Sequence, residues 1–174
     1  MKVGLIDVDS RHYPNLALMK LSAWHKTKGD DVEWWWGLGQ YDRVYMSKVF
    51  DSTYTPDMPL PLNAKEIVQG GTGYGLENRL PEAVERIYPD YSLYPELTKD
   101  TAYSFLSRGC PRVCPYCVVS EKEGRWSVRV ADLSEWWHGQ RNIVLMDLKF
   151  TGVSRPDRTF AIIFWRKHGT ESAG

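Results

Sequence analysis

A chain of 174 residues can bury one respectable core or two small ones, and its balance of 43% hydrophobic and 25% charged residues argues against disorder. Twenty-two basic against 22 acidic side chains give a formal net charge of zero, which lacks the electrostatic footprint of a nucleic-acid or anionic-membrane binder and favours a small substrate or a protein partner. No apolar run reaches the roughly 20 residues that span a bilayer, and Asp7 and Asp9 come too early for a signal peptide, so a cytoplasmic protein is expected.

KVGLIDVDS is a short apolar run ending in acidic residues, which predicts a buried parallel strand over residues 2–8 that opens into a loop. NLALMKLSAWHKTKG sets Leu18, Leu21 and His25 on one stripe beside Ala17 and Trp24, carries lysines in its last turn and stops at Gly29. That pattern predicts a helix, with His25 at the boundary of its buried face rather than acting as a ligand. DDVEWWW and YDRVYMSKV read as two further strands, and AKEIVQGGTGYG as a fourth that ends in a glycine-rich turn. The order strand, helix, strand, strand, strand predicts an α/β fold with a small Rossmann-like N-terminal layer.

The EWWWG stretch at residues 33–37 is the densest point in a chain with eight tryptophans. It reads as a strand end packed against a neighbour rather than a platform for stacking bases, in keeping with the neutral charge. The glycines at Gly70, Gly71, Gly73 and Gly75 could offer backbone amides to a phosphate. The dinucleotide fingerprint, however, runs GxGxxG directly into a helix, whereas the polar LENRL and Pro81 follow here. A turn that lets this domain approach the next is the expected role.

YPDYSLYPELTKD, with two prolines and three tyrosines and no periodicity, reads as an extended connector. The domain boundary is expected near Thr98, dividing residues 1–98 from 99–174. TAYSFLSRG is then a fresh strand, RWSVRV a short alternating strand, and ADLSEWWHGQ a helix with Asp132 as N-cap and Glu135 at the capping-box position. RNIVLMDLKF is another buried-type strand. Strand, loop, helix, strand is a βαβ unit, which implies a parallel sheet or an incipient barrel.

All three cysteines fall in RGCPRVCPYCVVS, at Cys110, Cys114 and Cys117, spaced CxxxCxxC. In a reducing cytosol clustered thiols are more often metal ligands or redox groups than disulfides, and an odd count leaves one thiol over. A dithiol of Cys114 and Cys117 wants a following helix N-terminus and leaves Cys110 unexplained. Structural zinc needs four ligands, with His138 the nearest histidine to complete the set. An iron–sulfur cluster held by three thiolates leaves one iron open, and an open position is a site for chemistry.

CxxxCxxC with an aromatic, Tyr116, before the last cysteine, in a loop directly after a strand that opens a βα repeat, resembles the radical S-adenosylmethionine enzymes. The resemblance implies a partial (β/α) TIM barrel whose first part follows the Rossmann-like domain. It implies a 4Fe-4S cluster on Cys110, Cys114 and Cys117, with S-adenosylmethionine chelating the fourth iron and Tyr116 packing near the adenine. An electron from a donor such as flavodoxin or ferredoxin would cleave the sulfonium and release a 5′-deoxyadenosyl radical that abstracts hydrogen from the substrate. The family often contacts the amino group of the cofactor from a GGE-like motif; that position falls in VLMDLKF, where Asp147 is the candidate without the glycine pair.

The N-terminal layer is similar to the cobalamin-binding-type domain that many of these proteins carry. The DxHxxG signature is missing and His12 stands near the first strand without it, so cobalamin is not expected. A zinc-stabilised adaptor and a non-catalytic remnant are the alternatives. The 76 residues from Lys99 (174 less 98) are fewer than a six-unit barrel needs, so a truncated barrel with exposed sheet edges is expected. TFAIIFW reads as one last strand of it.

Overall fold

Short apolar runs set four strands side by side in the first part of the chain, and one helix packs its leucines against them. The computed structural model describes residues 1–147. The chain divides into two compact units, Met1–Leu97 and Thr98–Gly174.

In the first unit β1 (Lys2–Asp7), α1 (Leu16–Thr27), β2 (Asp31–Trp34), β3 (Tyr41–Ser47) and β4 (Ala64–Gly70) follow one another. The sheet has the order β2-β1-β3-β4, with every pair parallel. β1 is the central strand, and its alternate residues feed two faces. Val3 and Leu5 pack with Leu18 and Leu21 of α1 and with Val84, whereas Ile6 packs with Tyr41, Val44 and Met46. Asn15 caps α1, its Oδ1 accepting from the Leu18 amide, while its Nδ2 donates to the hydroxyls of Ser10 and Ser47. One side chain therefore starts the helix and ties it to the ends of β1 and β3.

α2 is a single turn, Glu82–Glu85, held by Lys20, whose ammonium donates to the Glu85 carbonyl and carboxylate. The stretch expected to be an extended connector is instead folded onto this unit. It forms a 3-10 turn at Tyr91–Leu93 and a helical turn, α3, at Pro95–Thr98. Ser22 and Lys26 both donate to the Asp90 carboxylate, the Asp90 amide donates to the Met19 carbonyl, and the Tyr94 hydroxyl donates to Asp7. Polar partners on α1 and β1 thus outweigh the extended preference of the two prolines.

In the second unit β5 (Thr101–Ser104) pairs in parallel with β8 (Asn142–Leu145). β6 (Ser107–Arg108) pairs antiparallel with β7 (Val128–Arg129), and α4 is the turn Val119–Lys122. The single strand expected over residues 101–109 is broken in two between Ser104 and Ser107. The helix expected from Asp132 is only a 3-10 turn, Leu133–Glu135, although the capping box of Asp132 and Glu135 is present. Gly139, at φ 97°, and the Gln140 side chain, which takes the His138 amide, end the turn. The connection from β5 to β8 therefore carries loops and short turns in place of the helix of a βαβ unit. The expected TFAIIFW strand lies outside the described residues.

The protein is a mixed α/β fold with a mostly parallel sheet. No helix among the described residues is long and apolar enough to cross a membrane.

Candidate metal centre

β5 and β8 end together, and the cysteine segment leaves from that carboxyl edge. Met146 donates its amide to the Ser104 carbonyl, and the next residue, Asp147, turns its carboxylate onto the segment. One Asp147 oxygen accepts from the Leu106 amide at 2.9 Å, and the other from the amide and hydroxyl of Ser107, both at 2.9 Å. Asp147 was expected as a contact for the amino group of a cofactor; here both its oxygens are occupied by backbone and hydroxyl donors.

Two residues on, the chain makes an excursion and returns. Gly109 stands at φ 92°, and a Cβ there would lie 2.1 Å from the Trp126 carbonyl oxygen, so only glycine lets the outgoing and returning strands come this close. The Cys110 amide donates to the Gly124 carbonyl at 3.1 Å. Glu123 closes the same base: one oxygen takes Arg108 Nη1 at 2.9 Å and the other the Gly109 amide at 3.2 Å. The Arg108 guanidinium also lies 4.1 Å from the centre of the Phe105 ring. Sequence reasoning missed Glu123, because its only signal was an acidic residue before a glycine in SEKEG.

Within the excursion all three cysteines are free thiols and half-buried. Cys114 to Cys117 is a tight turn, the Cys117 amide donating to the Cys114 carbonyl at 3.0 Å, and Val113 before it takes φ 45°. A helix does follow Cys117, but α4 is a single turn. Tyr116 is 90% exposed, its ring turned to solvent.

Among the described residues no group of three or more His, Cys, Asp or Glu side chains stands together in a way that could hold a metal ion. The thiols therefore share a loop without converging, and exposed His138 is not gathered with them. In number and kind the donors fit a cluster that takes three thiolates. They do not supply the fourth ligand of a closed zinc site.

The other residues singled out from the sequence serve the first unit. Gly71, at φ 92°, and Gly73 allow the turn after β4 to touch the segment after β3: Cβ atoms there would lie 2.3 Å from the Lys48 carbonyl oxygen and 2.2 Å from that of Phe50. The close approach those glycines permit is thus made inside their own unit. In EWWWG, Trp35 donates its indole N–H to Asn63, and Trp34 meets the Tyr94 ring edge-on. His25 is buried, one ring nitrogen 2.7 Å from Asp30 and the other 3.0 Å from the Tyr45 hydroxyl, a satisfied core histidine. His12 is exposed.

The strand order reverses between β1 and β3, the place where open α/β sheets hold ligands. Here the side chains bond to one another and to nearby backbone. Asp7 accepts from Ser10 and Tyr94, Asp9 accepts from the Val49 and Phe50 amides, and Asn15 reaches Ser10 and Ser47. Comparison with protein-family models, with curated proteins and with solved structures finds no match to this chain.

Proposed function

We propose that the second unit is the start of a radical S-adenosylmethionine barrel and that Cys110, Cys114 and Cys117 hold a 4Fe-4S cluster with one open iron. The first unit, on this reading, is a Rossmann-like layer that serves as structure or faces the substrate, without cobalamin. The observation that carries the proposal is the placement of every thiol of the chain, free and half-buried, on one pinned excursion from the carboxyl edge of a parallel strand pair. Active sites of βα repeats sit at that edge. When bound, the cluster supplies an electron and an open coordination site for the reductive cleavage of S-adenosylmethionine.

The chain's own part is to present thiolates and to limit water. Cys110 stands at the base of the loop, its amide on the Gly124 carbonyl, and Cys114 and Cys117 share one tight turn further out. Tyr116 offers a flat apolar body beside Cys117, with most of its area still to be covered by a ligand. A cytoplasmic location, where thiols stay reduced, and an electron donor such as flavodoxin or ferredoxin belong to the same reading.

Anaerobic reconstitution with ferrous iron and sulfide tests it. The parent chain should turn brown and bind iron and sulfide, and Cys114→Ala should lose both. A full cluster in that variant would remove the loop from the site. A colourless protein that binds zinc and loses it in His138→Ala would replace this reading with the zinc adaptor.

A further inference from the structure

We infer that Glu123 and Asp147 are positioning residues for the cysteine segment, a pair of carboxylates that fixes the place of Cys110 before any ligand arrives. The inference rests on the cysteine loop being the functional site and goes beyond the naming of its ligands. The two residues act on consecutive pieces of one stretch of backbone. Asp147 takes the amides of Leu106 and Ser107 and the Ser107 hydroxyl, and Glu123 takes the Gly109 amide and the Arg108 guanidinium. Together with the Cys110 amide on the Gly124 carbonyl, donors of every residue from 106 to 110 are assigned a fixed acceptor.

The chemistry suits the task. A carboxylate accepting backbone N–H bonds is a charge-assisted acceptor, about twice as strong as a neutral one. Both groups are held in the lower-dielectric margin of the protein, the Glu123 side chain 15% exposed. Their hydrogen bonds go to backbone amides, the Ser107 hydroxyl and the Arg108 guanidinium, so the hold they exert on Cys110 runs along the backbone. The consequence is an asymmetry among the cysteines. The Cys110 amide is held across the base of the loop by the Gly124 carbonyl, whereas the Cys117 amide is held by Cys114 within the excursion. On the cluster reading, Cys110 is the ligand whose backbone is anchored across the base of the loop in advance.

Two measurements on the full chain test the inference, one without metal. In the metal-free protein, alkylation by iodoacetamide followed by mass spectrometry gives a rate for each thiol. Cys110 should react more slowly than Cys114 and Cys117, and Glu123→Gln or Asp147→Asn should raise the Cys110 rate about 10-fold while leaving the other two unchanged. An unchanged Cys110 rate in both variants would overturn the inference, and so would equal acceleration of all three thiols to the rate of urea-unfolded chain, since the carboxylates would then be general folding contacts. In protein reconstituted with iron and sulfide, each variant should lose iron to a ferrous chelator about 10-fold faster, the lower end of what loss of a supporting group around a metal site costs. Equal loss rates in parent and variants count against the carboxylates. A parent that takes up no iron would fail the cluster assignment alone, because the alkylation rates decide the positioning role without it.

Discussion

Asp90 shows how far a single carboxylate departs from its ordinary behaviour in this protein. Burial pushes its pKa up, but hydrogen bonds from Lys26, Ser22 and Ser92 outweigh burial and hold it below the usual aspartate range. Asp30 is lowered by the chain's amino terminus first and His25 second, and Asp42 by Lys65 first and the Lys2 amide second. An acid whose folded pKa lies below its unfolded value of about 3.9 releases its proton more readily when folded. Its contribution is therefore complete above that value and is lost as pH falls through the folded pKa. The first unit should hold its urea midpoint from neutrality to about pH 5 and lose it steeply below about pH 4. Asp90→Asn should flatten part of that acid slope; a midpoint that falls equally in parent and variant would remove Asp90 from the cause.

At the scale of elements, α1 is fixed by its cap, Asn15, as much as by its apolar stripe. Asn15→Ala should cost about 2 kcal/mol, near 1 for the lost cap and about 1 for leaving the buried Ser47 hydroxyl short of a partner. Asn15→Ser keeps a cap but cannot reach both hydroxyls, so its loss in denaturant unfolding should fall between parent and Ala. If Ser were as costly as Ala, the tie to β1 and β3 would carry all of the effect and the cap none. This helix and the four strands of the first sheet were legible in the sequence because their apolar periods are local and intact. The stretch around Asp90 was not, because what folds it are partners on α1 that lie 68 and 64 residues away. The second unit repeats the lesson. CxxxCxxC is visible as spacing, whereas the grips of Glu123 and Asp147 are on backbone amides 14 and about 40 residues distant, which no periodicity records. The capping box at Asp132 was read correctly, but a cap only starts a helix; with Gly139 close behind, one turn was all that followed.

For the whole molecule the distribution of buried side chains sets which part gives way first. Both hydrophobic clusters among the described residues belong to the first unit, built on Val3, Leu5, Leu18, Val44 and Met46. The described part of the second unit buries Ala102, Tyr103, Leu106 and Trp136, with two short strand pairs and single helical turns around them. Elements with few buried apolar contacts open at low free energy, so amides there should exchange with solvent well before those of β1 and β3. Metal binding to thiolates is coupled to ordering of the chain that carries them. Loading with iron and sulfide should therefore slow exchange across residues 106–124 and leave β1 and β3 as they were. Hydrogen exchange read by mass spectrometry on loaded and metal-free protein checks both halves. Protection that is uniform over residues 1–147 before loading would contradict the thin-core argument, and protection gained in the first sheet instead of the loop would place the metal elsewhere.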